Sequence, residues 1–231
     1  MLIPWKELPS GMQCSEVREY YDLLQARAGQ LKIKRAADVV LAVLVLLFAG
    51  LPMAVIAVLI AADSPGPVFF RQERITAGGR RFRIHKFRTM TAAGSGRGAA
   101  VTAADDARIT RIGAFLRRYR LDELPQLIDV LKGDMSFVGT RPEVPRYVRC
   151  YTPEMRATLL LPAGITSEAS IRYKDEEKML EGAGDVDRVY VEQILPEKMV
   201  YNLASLKNFS LLGDMKTMFR TVLAVFGGGE D

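Results

Sequence analysis

Two adjacent carboxylates, Asp122 and Glu123, follow three arginines in the run Arg117-Arg118-Tyr119-Arg120-Leu121-Asp122-Glu123-Leu124-Pro125-Gln126-Leu127. Phosphate chemistry needs this mixture. Arginines and helix N-terminal amides can bind phosphate oxygens, while carboxylates can hold a hard divalent ion or attack phosphorus. A plainer reading fits the same residues, because Asp122 is a good N-cap and Glu123 a favourable first-turn acid, both complementing a helix dipole. Taken alone, the cluster favours that plainer reading. Other chemistries find less support. The single histidine, His85, lies in the basic apolar stretch Arg81 to Arg88 and reads as a strand-surface residue, so a histidine-based triad is poorly supported. Cys14 and Cys150 are far apart and in no metal-ligand or CxxC spacing, which argues against a zinc site or disulfide framework and fits a reducing compartment. No Walker A or dinucleotide fingerprint is present. Asp185-Val186-Asp187 is formally a DxD triplet, but in a Gly-containing acidic loop it reads as surface.

The elements that must position the pair can be read on either side of it. Ile109, Ile112, Leu116 and Tyr119 recur at helical spacing and predict an amphipathic helix ending in Arg117, Arg118 and Arg120. A second helix is predicted from about Asp122, with Leu124, Leu127, Ile128 and Leu131 on its apolar face, Pro125 in its first turn and Gly133 as its stop. Upstream, Val68 to Ile75 and Arg81 to Phe87 are apolar, aromatic and basic runs separated by Thr76-Ala77-Gly78-Gly79, the pattern of a β-hairpin. Thr91 to Ala104 is rich in Ala, Gly, Ser and Thr and reads as a mobile loop, either a connector or a lid. A last helical stretch is expected from about Pro196 to Phe226, broken near Gly213.

One segment sets the environment of all these elements. From Ala36 to Ala62 the only charge is Asp38, and a helix of that length is roughly 40 Å long, enough to cross a hydrocarbon layer of about 30 Å. Pro52 removes a backbone donor and should kink it. Lys32, Lys34 and Arg35 precede the segment, and Arg71, Arg74, Arg80, Arg81, Arg83 and Lys86 follow it. Both flanks therefore want the cytoplasm, which a helix that bends at Pro52 and returns to the same leaflet satisfies and a straight span does not. Asp63-Ser64-Pro65-Gly66-Pro67 should end it at the water interface. Before it, Glu16 to Lys34 is compatible with either a headgroup-level helix or a solvated lead-in. The 231 residues thus divide into a lead-in (1–35), a re-entrant membrane helix (36–62) and a cytoplasmic membrane-surface domain (63–231). The expected fold class is α/β and membrane-associated, mostly helical with a small hairpin. The net charge of +5 suits phosphates, anionic lipid or nucleic acid, and no nucleic-acid motif accompanies it. A membrane-anchored basic scaffold is the non-enzymatic rival, and it has no need for an adjacent acid pair.

The chain resembles the monotopic phosphoglycosyl transferases, also called the bacterial sugar transferase family, from about Lys34 to Phe226. The resemblance is carried by Ser64-Pro65-Gly66-Pro67-Val68-Phe69-Phe70-Arg71-Gln72, Lys86-Phe87-Arg88-Thr89-Met90, Asp106-Ala107-Arg108-Ile109-Thr110 and Leu121 to Leu127. It continues through Leu131-Lys132-Gly133-Asp134-Met135-Ser136-Phe137-Val138-Gly139 and Arg141-Pro142-Glu143. It implies a proline-kinked re-entrant helix and a Mg²⁺-dependent acid dyad matched by Asp122 and Glu123. Within the family, the Asp attacks the β-phosphate of a UDP-sugar, UMP leaves, and a polyprenyl phosphate captures the phosphosugar at the cytoplasmic face of the inner membrane. The resemblance makes Asp122 that nucleophile and gives Glu123 a part in holding Mg²⁺ and the acceptor. Arg117 and Arg141 become phosphate contacts, with Arg88 and Lys86 as further candidates. This sequence departs from the family's Pro-Gly-Ile-Thr motif by an inserted alanine, in Pro162-Ala163-Gly164-Ile165-Thr166, and Arg172 or Lys174 would replace the basic contact that usually follows.

Overall fold

A computed structural model describes residues 2–91, 106–174, 176–180 and 184–226. The run Thr91 to Ala104, apart from Thr91 itself, lies outside them. The lead-in forms α1 (Ser15–Gln25), which buries Val17, Tyr20, Tyr21 and Leu24. That is one stripe at helical spacing, and it packs against α9 (Leu195–Lys207) and the turn Glu154–Leu160. Two apolar rings of α1 thereby enter the largest core cluster, together with Tyr147, Leu160, Tyr190 and Met199.

The apolar segment lies within a longer helix than the sequence suggested. Helix α2 runs from Ala28 to Asp63 with Pro52 inside it, its basic lead-in included. Most of its middle is uncovered: Leu47, Phe48 and Leu51 are 74%, 83% and 77% exposed. By length and composition it could cross a membrane. Yet both of its ends are tied to one folded body. Near the start, Arg35 donates to the carbonyls of Val130 (2.6 Å) and Leu131 (2.9 Å). One turn on, the buried Asp38 accepts from Ser136 Oγ (2.8 Å) and the Phe137 amide (3.3 Å). At the far end, Arg88 Nη2 donates to the carbonyls of Ile60 (3.1 Å) and Ser64 (2.6 Å), and the Ile112 amide donates to Asp63 (3.3 Å).

The hairpin forms as expected, with β1 (Phe69–Ile75) antiparallel to β2 (Arg81–Phe87). Gly78 and Gly79 take φ of 66° and 71°, a left-handed pair that a side chain would resist, and so allow the chain to reverse there. Helix α3 (Arg111–Arg118) starts one residue after its Thr110 cap, whose side chain accepts from the Gly113 amide. Helix α4 (Gln126–Lys132) stops at Gly133, φ 83°. Phe82, Ile84, Leu127 and Val130 close over Ala42 of α2, while Phe87 and Leu116 close over Ile60.

Two strands were not foreseen. β3 (Met135–Val138) and β4 (Ala163–Thr166) pair in parallel, with Met135 opposite Ala163 and Val138 opposite Thr166. Four-residue strands give too short a run for period-two patterning to register. Gly164 makes their close approach possible, because a Cβ there would lie 2.2 Å from the backbone of Gly139. Short helices α5 (Pro145–Val148), α6 (Glu168–Arg172), α7 (Glu176–Met179) and α8 (Val186–Val189) lead into α9 and α10 (Leu211–Phe226). The break in the final helical stretch falls after Lys207 rather than at Gly213. Ser210 caps α10 by accepting from the Gly213 amide, which places that glycine in the helix's first turn.

Candidate active site

Three elements converge on the acid pair. Helix α3 ends at Arg118, and Arg120 then adopts φ 56°, ψ 21°, the only positive φ outside glycine among the described residues. A left-handed arginine costs about 1–2 kcal/mol, and here it reverses the chain abruptly into the 3-10 turn Leu121–Glu123. Strand β2 brings Lys86 to one side of that turn. The segment after β3 brings Arg141 to the other.

Both carboxylates are buried, at 8% and 7% exposure, but their partners differ. Glu123 is fully engaged: Lys86 Nζ lies 2.8 Å from Oε1, and Arg141 donates to both oxygens, Nη2 to Oε1 and Nη1 to Oε2 at 3.2 Å. Asp122 Oδ2 is 3.8 Å from Lys86 Nζ, and its Oδ1 has no hydrogen-bond partner among the described residues. The capping role that offered the plainer reading is not taken up, since neither the Leu121–Glu123 turn nor α4 has a side-chain cap.

Electrostatics separates the pair further. Burial raises the Asp122 carboxyl above its ordinary value, with Lys86 opposing the rise and Glu123 adding to it. For Glu123, burial pushes the same way but is outweighed by Arg141 and then Lys86, which hold the carboxyl well below the usual range. Arg141 is raised in turn, chiefly by Glu123. Glu123 is thus an anion held in a cationic fork, and Asp122 a desolvated carboxyl group one of whose oxygens has no hydrogen-bond partner among the described residues.

Of the other residues singled out from sequence, Lys86 and Arg141 join the pair. Arg88 lies two residues beyond Lys86, where its Nη2 ties down the end of α2, while its buried Nε and Nη1 have no hydrogen-bond partner among the described residues. Arg117 Nη1 reaches Met90 Sδ at 3.9 Å. Arg172 is ion-paired with Glu168 (3.0 Å) and lies over the Tyr201 ring, 4.7 Å from its centroid. The DxD triplet is structural: Asp185 caps α8 by accepting from the Arg188 amide, and Asp187 accepts from Arg146 and Tyr147.

Sequence reasoning missed a supporting contact. His85 is buried rather than on a strand surface: its backbone amide is 2.9 Å from Asp129 Oδ2 and its Nδ1 is 2.6 Å from Oδ1. Asp129, with no solvent exposure, thus staples α4 to β2 one residue from Lys86. No spacing in the sequence signals it, because Asp129 meets His85 only once α4 packs on β2.

A family model described as bacterial sugar transferase matches residues 29–228. The chain belongs to that family, and its acid pair, its flanking cations and all of α2 but its first residue lie within the matched stretch. Among curated relatives, it is 43% identical over 159 residues to a Bacillus subtilis (strain 168) protein named "Putative undecaprenyl-phosphate N-acetylgalactosaminyl 1-phosphate transferase", covering 68% of this chain and 87% of that one. It is 37% identical over 200 residues to the UDP-N-acetylgalactosamine-undecaprenyl-phosphate N-acetylgalactosaminephosphotransferase of Aeromonas hydrophila, covering 85% and 44%. It is 34% identical over 198 residues to the UDP-glucose:undecaprenyl-phosphate glucose-1-phosphate transferase of Escherichia coli (strain K12), covering 84% and 40%. The chain therefore spans less than half the length of the last two relatives.

Proposed function

We propose that this chain transfers a phosphosugar from a UDP-sugar to undecaprenyl phosphate at the cytoplasmic face of the membrane, through an intermediate on Asp122. The observation that carries the reading is the inequality of the two carboxylates, one pinned by cations and one with an unpartnered oxygen. The relatives' names supply the donor and acceptor classes. Asp122 attacks the β-phosphorus of the donor. The new O–P bond forms as the bond from that phosphorus to the bridging oxygen breaks, and UMP leaves with the electron pair. A phosphate oxygen of the lipid acceptor then attacks the same phosphorus, the Asp122–phosphorus bond breaks, and the carboxylate is restored. Lys86 and Arg141 neutralise charge beside the reacting phosphate while keeping Glu123 ionised.

Among the described residues, no group of three or more Asp, Glu, His or Cys gathers as a metal cage. Mg²⁺, however, commonly takes one or two carboxylates and completes its shell with substrate phosphates and water. The free Oδ1 of Asp122 fits that role, and Glu123 would share in it by giving up part of its contact with Lys86. When bound, the ion supplies charge neutralisation to the donor diphosphate. Chelation should then abolish UMP release, and full release in metal-free buffer would remove the ion from this reading.

The anchors on α2 support the re-entrant reading of its topology. Arg35 and Asp38 at one end, and Ile60 and Asp63 at the other, bind the same body that carries the acid pair. A bilayer cannot separate them without tearing those bonds, which supports a helix that enters and leaves by one leaflet.

The test of the chemistry uses Asp122→Asn, nearly isosteric and still able to fold. Denaturing mass spectrometry after mixing enzyme with UDP-sugar alone should find a phosphosugar mass on the Asp122 peptide and none in the variant. Near-normal turnover by Asp122→Asn, or label on another residue in both proteins, would assign the nucleophile elsewhere.

A further inference from the structure

Glu123, Gln126 and Asp129 follow one another at three-residue spacing along the Leu121–Glu123 turn and α4, and all three are buried. The outer two are satisfied by consecutive residues of that strand, Glu123 by Lys86 and Asp129 by His85. Gln126 lies between them in the sequence. It is 1% exposed, and neither its Nε2 nor its Oε1 has a hydrogen-bond partner among the described residues. A buried carboxamide with both ends unpaired is costly, and the large majority of buried polar side-chain atoms have a partner. The other unpaired oxygen on this short path, Asp122 Oδ1, belongs to the residue one helical turn before it.

We infer that Gln126 is a further substrate-binding residue of the transfer reaction, its Nε2–H donating to a non-bridging oxygen of the phosphoryl group that reacts at Asp122. The inference rests on the reading of Asp122 and Glu123 as the reacting pair. The side chain's chemistry suits the place. A lysine or arginine here would pair with the free Asp122 oxygen and block it, whereas a neutral amide offers a hydrogen-bond donor to an anionic ligand without neutralising the attacking carboxylate. Its Oε1 remains an acceptor for a water or hydroxyl arriving with the ligand. Because negative charge grows on the phosphoryl oxygens as the new bond forms, a donor placed there acts on turnover more than on donor binding.

The experiment compares Gln126→Met, Asp122→Asn and the parent enzyme, with the member of a UDP-sugar panel that the parent turns over fastest and with undecaprenyl phosphate as acceptor. Methionine keeps the length and volume but removes both hydrogen-bonding ends, so the melting temperature should hold or rise. The expected result is a fall in kcat on the order of 10–100-fold, the size of a lost hydrogen bond to a charged group, with donor KM within about threefold. Gln126→Glu, which replaces the amide donor with an acceptor, should be at least as impaired. Retention of kcat within about twofold in Gln126→Met would overturn the inference and mark the amide as one satisfied by buried water. A lowered melting temperature in Gln126→Met, with stability and turnover both recovered in Gln126→Glu, would also overturn it. Asp122→Asn reports separately on the underlying reading: if that variant is active the reacting pair is misassigned, and if it is dead while Gln126→Met is normal only the present inference fails.

Discussion

Arg141 grips Glu123 with both terminal guanidinium nitrogens, one on each carboxylate oxygen. A planar fork of this kind fixes the orientation of the carboxylate as well as its charge, which a single ammonium cannot do. Arg141→Lys should therefore keep the fold and the local charge yet lower turnover by on the order of tenfold or more. Steady-state UMP release alongside a thermal melt checks this, and a fully active Arg141→Lys would reduce the fork to simple charge balance.

The unequal environments of the two acids give a sign to the pH dependence. On the proposed mechanism Asp122 attacks in its ionised form, and burial raises its carboxyl, so activity should climb with pH along an acid limb above the ordinary aspartate value of 3.8. Lys86 is the first influence that opposes the rise, so Lys86→Met should move the limb to higher pH. Glu123 runs the other way: its depressed carboxyl stabilises the fold above the ordinary value of 4.5, and that contribution is lost as pH falls through the lower folded value. The pH profile of kcat/KM for UMP release, measured for both proteins, decides the first point. A limb that stayed put in Lys86→Met would separate it from Asp122.

Gly164 offers a prediction about stability alone. A methyl group there would meet the Gly139 backbone at 2.2 Å, and backbone cannot turn aside as a side chain can. Gly164→Ala should cost about 1–3 kcal/mol or more, which for a chain of this size lowers Tm by about 2–4 °C per kcal/mol. The preceding Ala163 sits in register opposite Met135 and is buried in the core there.

Topology is open to direct labelling. In a background lacking Cys14 and Cys150, cysteines placed at Lys32 and Pro67, both exposed, should react with an impermeant reagent from the same side of sealed vesicles. Opposite accessibility would refute the re-entrant arrangement and leave the chemistry of the acid pair untouched.

Much of this arrangement could be read from the residues themselves. The hairpin was legible because its apolar runs flank two glycines, and α3 because Ile112 and Leu116 recur at helical spacing. The acid pair was visible as a cluster, but its two halves were not distinguishable: Asp122 and Glu123 differ only in which cations reach them, and Arg141 arrives from eighteen residues away through a strand pair too short to register. His85 misled for a related reason. A histidine among arginines on a hairpin reads as exposed, and its burial depends on Asp129, forty-four residues downstream. Asp38 stood out as the lone charge of an apolar helix, but its partner Ser136 lies ninety-eight residues on.

The two-ended attachment of α2 has a consequence for where the enzyme can work. A helix that spans a bilayer must match its apolar length to the thickness of the hydrocarbon, and pays in tilt or lipid distortion where the two disagree. A helix whose both ends are bonded to one body on one side has no far headgroup layer to reach. On the proposed re-entrant arrangement its immersion depth would be set instead by Arg35 and Arg88, which hold it against the elements bearing the acid pair. The height of Asp122 above the lipid tails should then stay constant between thin and thick bilayers, so acyl-chain length should leave the reaction unchanged while headgroup charge should not.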